Sequence, residues 1–237
     1  MQPAVRAPAN RLACAARVRA ALRAVAALLV VVAAPALHAQ TIVPNPHLDT
    51  QLPPWAAFVS ASPDPAGAGE APLWQSPPDV NGAVTSGSSR VRLTPSLPNA
   101  ASGVAQCFDF AAPTSVEFLN YGMAFYVPAA AALDGAVAAT VEVRLYSGAG
   151  CTGFLSGGTQ SQALAAATVP ATTWYRIADS HFVPNDAPVT VASAQMRGYL
   201  RQTGGQPTQA DYALNLDHFV VVPNSTTPVS LIQFDVE

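Results

Sequence analysis

The feature that most constrains this chain is the repeated alternation of apolar and polar residues along short segments. It is clearest in NYGMAFYV (residues 120–127), TVEVRLY (140–146) and ASAQMRGYLRQ (192–202). Successive side chains of a β-strand point to opposite faces, so each segment is predicted to be a strand with one apolar and one polar face. Helical periodicity is not sustained in any window.

Other segments show similar alternation, and the residues between them favour turns. Further strands are predicted at SSRVRLT (88–94), SGVAQCFDF (102–110), TTWYRIADSHF (172–182) and YALNLDHFVVV (212–222). Clusters of Gly, Pro, Asn and Ser separate them, and the chain contains 22 prolines. The pattern predicts an all-β fold, an antiparallel β-sandwich. The tract AAALDGAVAA (130–139) and the Gly-rich segment SGAGCTGFLSGG (147–158) are interpreted as loops.

The N-terminal region has the organisation of an export signal. Five arginines without any acidic residue precede the apolar run VAALLVVVAAPAL, which is followed by small residues. A run of about 13 residues is shorter than the roughly 20 that span a bilayer. We therefore predict a signal peptide at 1–39, cleaved after Ala39 or alternatively after Ala36, and a secreted or periplasmic protein. Residues 40–222 are predicted to form the sandwich, and 223–237 an extended C-terminal tail.

The charge distribution excludes one class of partner. The region after residue 39 contains six arginines, no lysine and all fourteen acidic residues, a formal net charge of −8. A protein that binds the phosphate backbone of nucleic acids needs a basic surface to replace counterions. Nucleic acid is therefore not expected as a partner.

Two cysteines remain in the predicted mature chain, because Cys14 lies within the signal peptide. Cys107 falls in a predicted strand and Cys151 in the Gly-rich segment. An even pair of cysteines in an exported protein favours a disulfide. The alternatives are a metal-thiolate site, for which no further Cys or His lies at short spacing, and a nucleophilic cysteine.

Short motifs occur at both ends of the predicted sandwich, in IVPNPHLDTQLPPW, PLWQSPPDVNGAVTSGSSRVRL and YALNLDHFVVV. These motifs resemble those of exported jelly-roll modules with the galactose-binding-like fold. The closing strand YALNLDHFVVV carries Asp217 where such modules have an acid, but His218 where a second Asp or Asn often stands. The opening resemblance lies in IVPNPHLDTQLPPW and PLWQSPPDVNGAVTSGSSRVRL, at Asn45, Leu48, Asp49, Trp55, Trp74, Asp79, Gly82, Ser86, Gly87 and Ser88.

The resemblance implies a jelly-roll fold and the function of a carbohydrate-binding module, with a glycan or polysaccharide as partner. It also implies a structural calcium ion, because such modules often join their two termini through one. Here its ligands would be Asp49 from the opening strand and Asp217 from the closing strand. Calcium prefers carboxylate and carbonyl oxygens, and the alternative is that each aspartate caps a turn.

Sugars bind to flat apolar faces surrounded by planar hydrogen-bonding groups, and the outward strand faces carry both. Because Arg binds carboxylate or sulfate, an acidic polysaccharide is a further hypothesis. The alternative is that outward Arg and Tyr only keep the sheet soluble, and that the loop tryptophans cover the end of the core. The predicted ligand-binding residues are Tyr126, Arg144, Tyr146, Arg197 and Tyr199 on strands, and Trp55 and Trp74 in loops.

Taken together, these observations predict an exported protein that binds a glycan without altering it. The alternative is a structural or protein-interaction module of the cell envelope, without a sugar ligand. An enzyme ranks last, because the chain contains no HExxH or GxSxG motif and no closely paired carboxylates. A glycosidase can still bring two carboxylates together through its fold, so convergence of such groups in a cleft would favour catalysis.

Overall fold

The structure is a computed structural model that describes residues 41–60, 71–95, 100–183 and 188–224. The predicted signal peptide lies outside these residues, as does the predicted tail beyond Asn224. The strands in chain order are β1 (Ala56–Ser60), β2 (Leu73–Gln75), β3 (Ser88–Leu93), β4 (Ala101–Val116), β5 (Phe118–Tyr126), β6 (Asp134–Gly148), β7 (Thr152–Ala165), β8 (Trp174–Phe182), β9 (Val189–Gln202) and β10 (Tyr212–Pro223).

The ten strands form two five-stranded antiparallel sheets. Sheet A has the order β1-β4-β9-β6-β7, and sheet B has the order β2-β3-β10-β5-β8. Apart from the pairs β2-β3 and β6-β7, neighbouring strands are not consecutive in the chain, because the chain crosses repeatedly from one sheet to the other. The predicted antiparallel β-sandwich of jelly-roll type is confirmed.

The core lies between the sheets and follows the period-2 pattern. In β6, Val141, Val143 and Leu145 have no exposed surface, and in β9 the same holds for Met196 and Leu200. Their polar neighbours in sequence point to the outer face of sheet A, the side away from sheet B. The alternation therefore predicted correctly which residues of these strands face the core.

Two segments interpreted as loops are strands instead. The tract 130–139 begins with a short 3-10 turn at Ala130–Ala132, and its second half, from Asp134, belongs to β6. Ala136, Val137 and Ala139 are fully buried, so packing against the core outweighs the weak strand propensity of alanine. The Gly-rich segment 147–158 forms the end of β6, a tight turn and the start of β7.

Residues 41–55 are irregular rather than a strand, so the prediction of Asp49 in an opening strand is wrong. The segment runs along the bulge of β10, where Ile42 N donates to Val221 O at 3.1 Å and Phe219 N donates to Pro46 O at 2.8 Å. Trp55 anchors its end with a ring 4.1 Å from that of Phe219. The start and the end of the described domain therefore lie side by side.

Candidate functional site

The sheet register brings four of the predicted ligand-binding residues together on the outer face of sheet A. Glu142 of β6 lies opposite Arg197 of β9, and the residue two positions along β6, Arg144, lies opposite Gln195. Tyr146 and Tyr199 point to the same face, because each is an even number of residues from these positions. We call the group Glu142, Arg144, Tyr146, Arg197 and Tyr199 the sheet A platform.

The Glu142 carboxylate holds the platform together. Its Oε1 accepts a hydrogen bond from Arg144 Nε, and its Oε2 accepts from Arg197 Nη1 and Tyr199 OH, both at 3.3 Å. The side chains of Glu142 and Arg197 are only 11% and 15% exposed, whereas that of Arg144 is 39% exposed. Glu142 thus fixes both guanidinium groups, and Arg144 is the one that solvent or a ligand reaches.

Burial and the network change the protonation behaviour of two groups. Burial, together with the negative charge of Glu142, raises the pKa of Tyr199 to about 12, so its hydroxyl remains a hydrogen-bond donor at neutral pH. Burial lowers the pKa of Arg144, but the hydrogen bond and charge of Glu142 outweigh burial and the pKa rises overall. The platform therefore presents fixed donors and a permanent positive charge.

Two phenylalanines from the edge strands of sheet A flank the platform. Phe58 of β1 lies 5.0 Å from the Tyr199 ring, and Arg197 Cζ lies 4.8 Å from its centroid. Phe154 of β7 has the corresponding position at the other edge, 6.0 Å from the Tyr146 ring and 5.7 Å from Arg144 Cζ. With the flanking phenylalanines, the platform forms two Phe–Arg–Tyr clusters joined by Glu142.

These contacts leave the tyrosines less accessible than the alternation suggests. Tyr146 and Tyr199 are 8% and 7% exposed, whereas the Phe154 ring is 60% exposed. The most accessible flat apolar surface beside the two tyrosines is therefore the Phe154 ring. Phe154 was not among the predicted ligand-binding residues. Its segment was interpreted as a loop, and a single aromatic between glycines carries no alternation that would place it beside Tyr146.

The predicted disulfide is confirmed and shapes one end of the platform. Cys107 and Cys151 are bonded, with a Cα–Cα distance of 6.0 Å and a sequence separation of 44. The turn between β6 and β7 bends across the outer face of sheet A, where Cys151 N donates to Ser193 Oγ at 2.9 Å and Gly150 N donates to Asp109 Oδ1 at 2.8 Å. The turn forms a wall beside Tyr146.

Tyr126 does not belong to the platform, because β5 is in sheet B. It lies on the outer face of that sheet beside Trp174, with ring centroids 5.6 Å apart. Trp174 is half-buried on this outer face. Alternation shows which residues share a face of one strand, but it does not show which strands share a sheet.

The two loop tryptophans have different environments. Trp55 is only 5% exposed and is part of the core, as the alternative interpretation proposed. Trp74 of the edge strand β2 is 36% exposed, and its Nε1 donates to Leu48 O at 2.7 Å. Neither ring adjoins the sheet A platform.

The two predicted calcium ligands, Asp49 and Asp217, lie within electrostatic range of each other. Burial, together with the charges of Asp79 and Asp49, raises the pKa of Asp217 to about 8. Hydrogen bonds from the N–H groups of Val80 and His218 oppose this rise. Ser86 Oγ donates to Asp49 Oδ1 at 2.9 Å. A bound cation would favour the ionised form of this buried carboxylate.

The side chains alone do not complete a metal site. Among the described residues, no group of three or more His, Cys, Asp or Glu side chains is arranged to hold a metal ion. Asp79, which the calcium prediction did not include, accepts hydrogen bonds at Oδ2 from Asn81 N and Ala83 N and so caps a turn. A calcium ion at Asp49 and Asp217 would need backbone carbonyl oxygens as further ligands.

A serine and a histidine meet where β7 and β8, the edge strands of the two sheets, lie side by side. Ser156 Oγ lies 3.0 Å from His181 Nε2, and burial lowers the pKa of His181 although the charge of Asp179 opposes it. Within the described part of the chain, no hydrogen bond joins His181 to Asp179. This pair therefore lacks the acid that orients the histidine in a Ser-His-Asp triad.

Comparisons with known proteins concern the fold. No family model matches the chain, and no curated protein matches it significantly. Similar solved structures include TmCBM61 in complex with β-1,4-galactotriose, at 12% identity over 78% of this chain and 99% of that chain, with a TM-score of 0.44. The xylan-binding module CBM15 has 14% identity, 73% and 92% coverage and a TM-score of 0.45.

A third similar structure is the enzymatically active domain of tailspike protein 4 of bacteriophage CBA120, with 11% identity and a TM-score of 0.46. The match covers 77% of this chain but only 21% of the tailspike chain. Carbohydrate-binding modules are thus among the β-sandwich proteins to which the chain is similar in fold. Separately, no helix among the described residues has the length and hydrophobicity needed to cross a membrane.

Proposed function

We propose that this protein is an exported carbohydrate-binding module that binds a glycan at the sheet A platform without altering it. The observation that carries the proposal is the pairing of Phe154 with Arg144 on one outer sheet face. Phe154 is 60% exposed, and the Arg144 guanidinium lies 5.7 Å from its ring centroid. A pyranose has an apolar face that packs on such a ring and polar edges that accept hydrogen bonds from Arg.

The rigidity of the platform supports the same function. Glu142 fixes Arg144 and Arg197, and Gln195 Oε1 accepts a hydrogen bond from Arg197 Nε at 2.9 Å. Donors that are held in place before binding lose less conformational entropy when a ligand arrives. The network therefore supports a role of these side chains in glycan binding. Side chains that only keep the sheet soluble gain nothing from being fixed.

Export is supported by the N-terminal segment and by the disulfide. Arginines followed by a short apolar run are typical of a cleaved signal peptide. Disulfides persist in oxidising compartments, and Cys107 and Cys151 are bonded. The proposed location is therefore secreted or periplasmic, where polysaccharides are accessible.

The proposal is tested by a glycan-array screen of the oxidised protein, produced from the full chain in an exporting bacterial host. We expect specific binding that Phe154→Ala weakens by about two- to tenfold, because a stacked aromatic commonly contributes about 0.5 to 1.5 kcal/mol. The matched control is Phe182→Ala on β8, since Phe182 is similarly exposed at 67% but lies on sheet B.

Two results would contradict the proposal. Equal loss of binding in both phenylalanine variants would show that the platform is not the binding surface. Absence of binding to neutral and acidic glycans, by protein with an intact disulfide and cooperative unfolding, would favour the structural or protein-interaction alternative. Incubation with each bound glycan, followed by chromatography of the sugar, tests the absence of catalysis, because shortened products would indicate hydrolysis.

A further inference from the structure

A separate cavity lies on the outer face of sheet B, away from the sheet A platform. Its volume is about 380 Å³, and its lining includes Arg90, Tyr126 and Asn215 together with Pro77 and Pro78. Only Tyr126 was among the residues predicted from the sequence to bind a ligand. The cavity has both an apolar wall and polar groups, as binding sites for small ligands do.

The sheet register explains why these residues meet. Arg90 of β3 lies opposite Asn215 of β10, and Asn215 lies opposite Tyr126 of β5. On the far side of Tyr126, the next strand places Trp174 directly opposite it. A guanidinium, an amide and two aromatic rings therefore lie side by side, in that order, across four neighbouring strands of sheet B.

Asn215 forms a polar floor with a free acceptor. The residue is only 2% exposed, and its Nδ2 donates to Ser88 Oγ at 3.1 Å and to Gln75 Oε1 at 3.3 Å. These bonds fix the amide and use both of its hydrogens. No described residue donates a hydrogen bond to Asn215 Oδ1, and this oxygen is not completely buried. It is therefore available to a hydroxyl group of a ligand.

Arg90 gives the cavity its charge. Arg92, Arg144 and Arg197 each form an ion pair with an acidic side chain. Arg90 is exposed, and none of the described residues forms an ion pair or a hydrogen bond with its guanidinium. An arginine without a protein acid at the edge of a cavity can bind an external carboxylate through two parallel hydrogen bonds.

The walls add an apolar surface suited to a sugar ring. Tyr126 is half-buried and packs beside Trp174, which fixes the orientation of its ring. Pro77 and Pro78 line the cavity as well and contribute rigid apolar surface. A flat wall, a hydroxyl acceptor and a carboxylate-binding guanidinium therefore surround one cavity.

We infer that this cavity binds a uronic acid residue of an acidic polysaccharide, with the sugar carboxylate on Arg90, a ring hydroxyl on Asn215 Oδ1 and the ring face on Tyr126. The inference rests on the proposed carbohydrate-binding function and adds a second site of different specificity. The two sites lie on the outer faces of opposite sheets, so one molecule can bind two polysaccharide chains at once. Such a protein would link an acidic polymer to the glycan that the sheet A platform binds.

The test is titration calorimetry of the oxidised protein with trimers of galacturonic, glucuronic, mannuronic and guluronic acid. The neutral trimers of the corresponding sugars are the matched ligands without the carboxylate. We expect at least one acidic trimer to bind, and Arg90→Gln to weaken it by roughly tenfold to a hundredfold, the usual effect of losing a hydrogen bond between charged groups. Tyr126→Ala should weaken it as well.

The control is Arg92→Gln, which removes another arginine of β3 that pairs with Asp211 and should leave uronate binding at the cavity unchanged. The inference is overturned if Arg90→Gln binds the acidic trimers as tightly as the unmodified protein, or if no acidic trimer binds. Binding of neutral glycans that depends on Phe154, without any uronate binding, would overturn this inference while supporting the proposed function. Uronate binding that depends on Arg90 but not on Phe154 would support the cavity and contradict the sheet A platform.

Discussion

At the scale of single residues, Glu142 has the most consequential position on the outer face of sheet A. It is the shared acceptor for Arg144, Arg197 and Tyr199. Because the side chains of Glu142 and Arg197 are 11% and 15% exposed, water replaces these bonds poorly when the carboxylate is lost. One carboxylate therefore links the stability of the sheet to the geometry of the proposed binding face.

We expect Glu142→Gln to lower the free energy of unfolding by about 1 to 3 kcal/mol, because Arg197 then remains mostly buried without a counter-charge. The measurement is urea unfolding followed by circular dichroism. Asp211→Asn is the matched control, since it removes an ion pair with Arg92 whose side chains are 34% and 42% exposed. Such a pair contributes less than about 1 kcal/mol. Equal losses in the two variants would contradict the special position of Glu142.

The residue scale is also where sequence prediction was least complete. The alternation placed Arg144, Tyr146, Arg197 and Tyr199 on outward faces, and the register brings them together. Their accessibility depends on Phe58 and Phe154, which come from strands at opposite edges of sheet A. When a side chain is covered by residues that are distant in sequence, the apolar periodicity of its own segment gives no sign of that contact. The sequence therefore predicted four members of the platform, but neither Glu142 nor the exposed ring of Phe154 beside it.

At the scale of strands and turns, the disulfide connects β4 to the turn between β6 and β7. It closes a loop with a sequence separation of 44. This turn also forms hydrogen bonds to Asp109 and Ser193, so it is fixed against the outer face of sheet A at several points. The disulfide thus restrains both the unfolded chain and the wall beside Tyr146.

We expect the double variant Cys107→Ser, Cys151→Ser to lose roughly 3 to 4 kcal/mol of stability, the loop-entropy value for a ring of this size. Thermal unfolding of the variant beside the oxidised protein measures the loss. The single variant Cys107→Ser should lose about as much, since either change removes the same crosslink. A double variant as stable as the oxidised protein would show that the crosslink does not restrain the unfolded chain.

Asp134, at the start of β6, joins that strand to the segment before β10. Burial opposes ionisation, but hydrogen bonds from Thr208, Tyr212 and the Ala136 N–H outweigh it and lower the pKa of Asp134 to about 2. Because the folded pKa lies below the unfolded value, the stabilisation is present above about pH 4 and is lost as the pH falls towards 2.

We therefore expect Asp134→Asn to be less stable than the unmodified protein at pH 7, and the difference to shrink below pH 4. Asp134 is exposed, so the difference at pH 7 should be below about 1 kcal/mol. Urea unfolding at pH 7, 4 and 2.5 measures it. A difference that stays constant over this range would show that the Asp134 charge is not the cause.

Strands were predicted where alternation is strong and missed where it is weak. The sequence indicated β5, β6 and β9 through alternating apolar residues, whereas β7 contains mostly Gly, Ser, Thr and Gln. At this edge of sheet A most of its residues remain at least partly exposed, so little apolar periodicity is needed. Strand order was not predictable, since partners such as β4 and β9 are far apart in the chain.

At the scale of the whole molecule, the start and end of the described domain lie together around Asp217. This buried carboxylate has Asp49 and Asp79 as charged neighbours, and their repulsion adds to the effect of burial on its pKa. A calcium ion that binds Asp49 and Asp217 would neutralise this charge and join residues 41–55 to β10. The ion would then stabilise the folded protein by an amount that rises with the logarithm of its concentration.

We expect millimolar calcium to raise the melting temperature relative to EDTA, because calcium at 100 times its Kd adds about 2.7 kcal/mol of stability. Asp49→Asn should remove the calcium-dependent shift, and Asp211→Asn should retain it, since Asp211 pairs with Arg92 instead. The shift is measured by differential scanning calorimetry at pH 7. An unmodified protein with the same melting temperature in calcium and EDTA would eliminate this site.

The central claim is that a glycan binds at the outer face of sheet A, and nuclear magnetic resonance tests it most directly. The experiment is a titration of isotope-labelled, oxidised protein with a neutral glycan that binds in the array, followed through backbone amide chemical shifts. We expect the largest changes to cluster at Phe58, Arg144, Phe154 and Arg197, all on strands of sheet A. Changes that cluster instead at the exposed edge strand β8, or along residues 41–55, would contradict it.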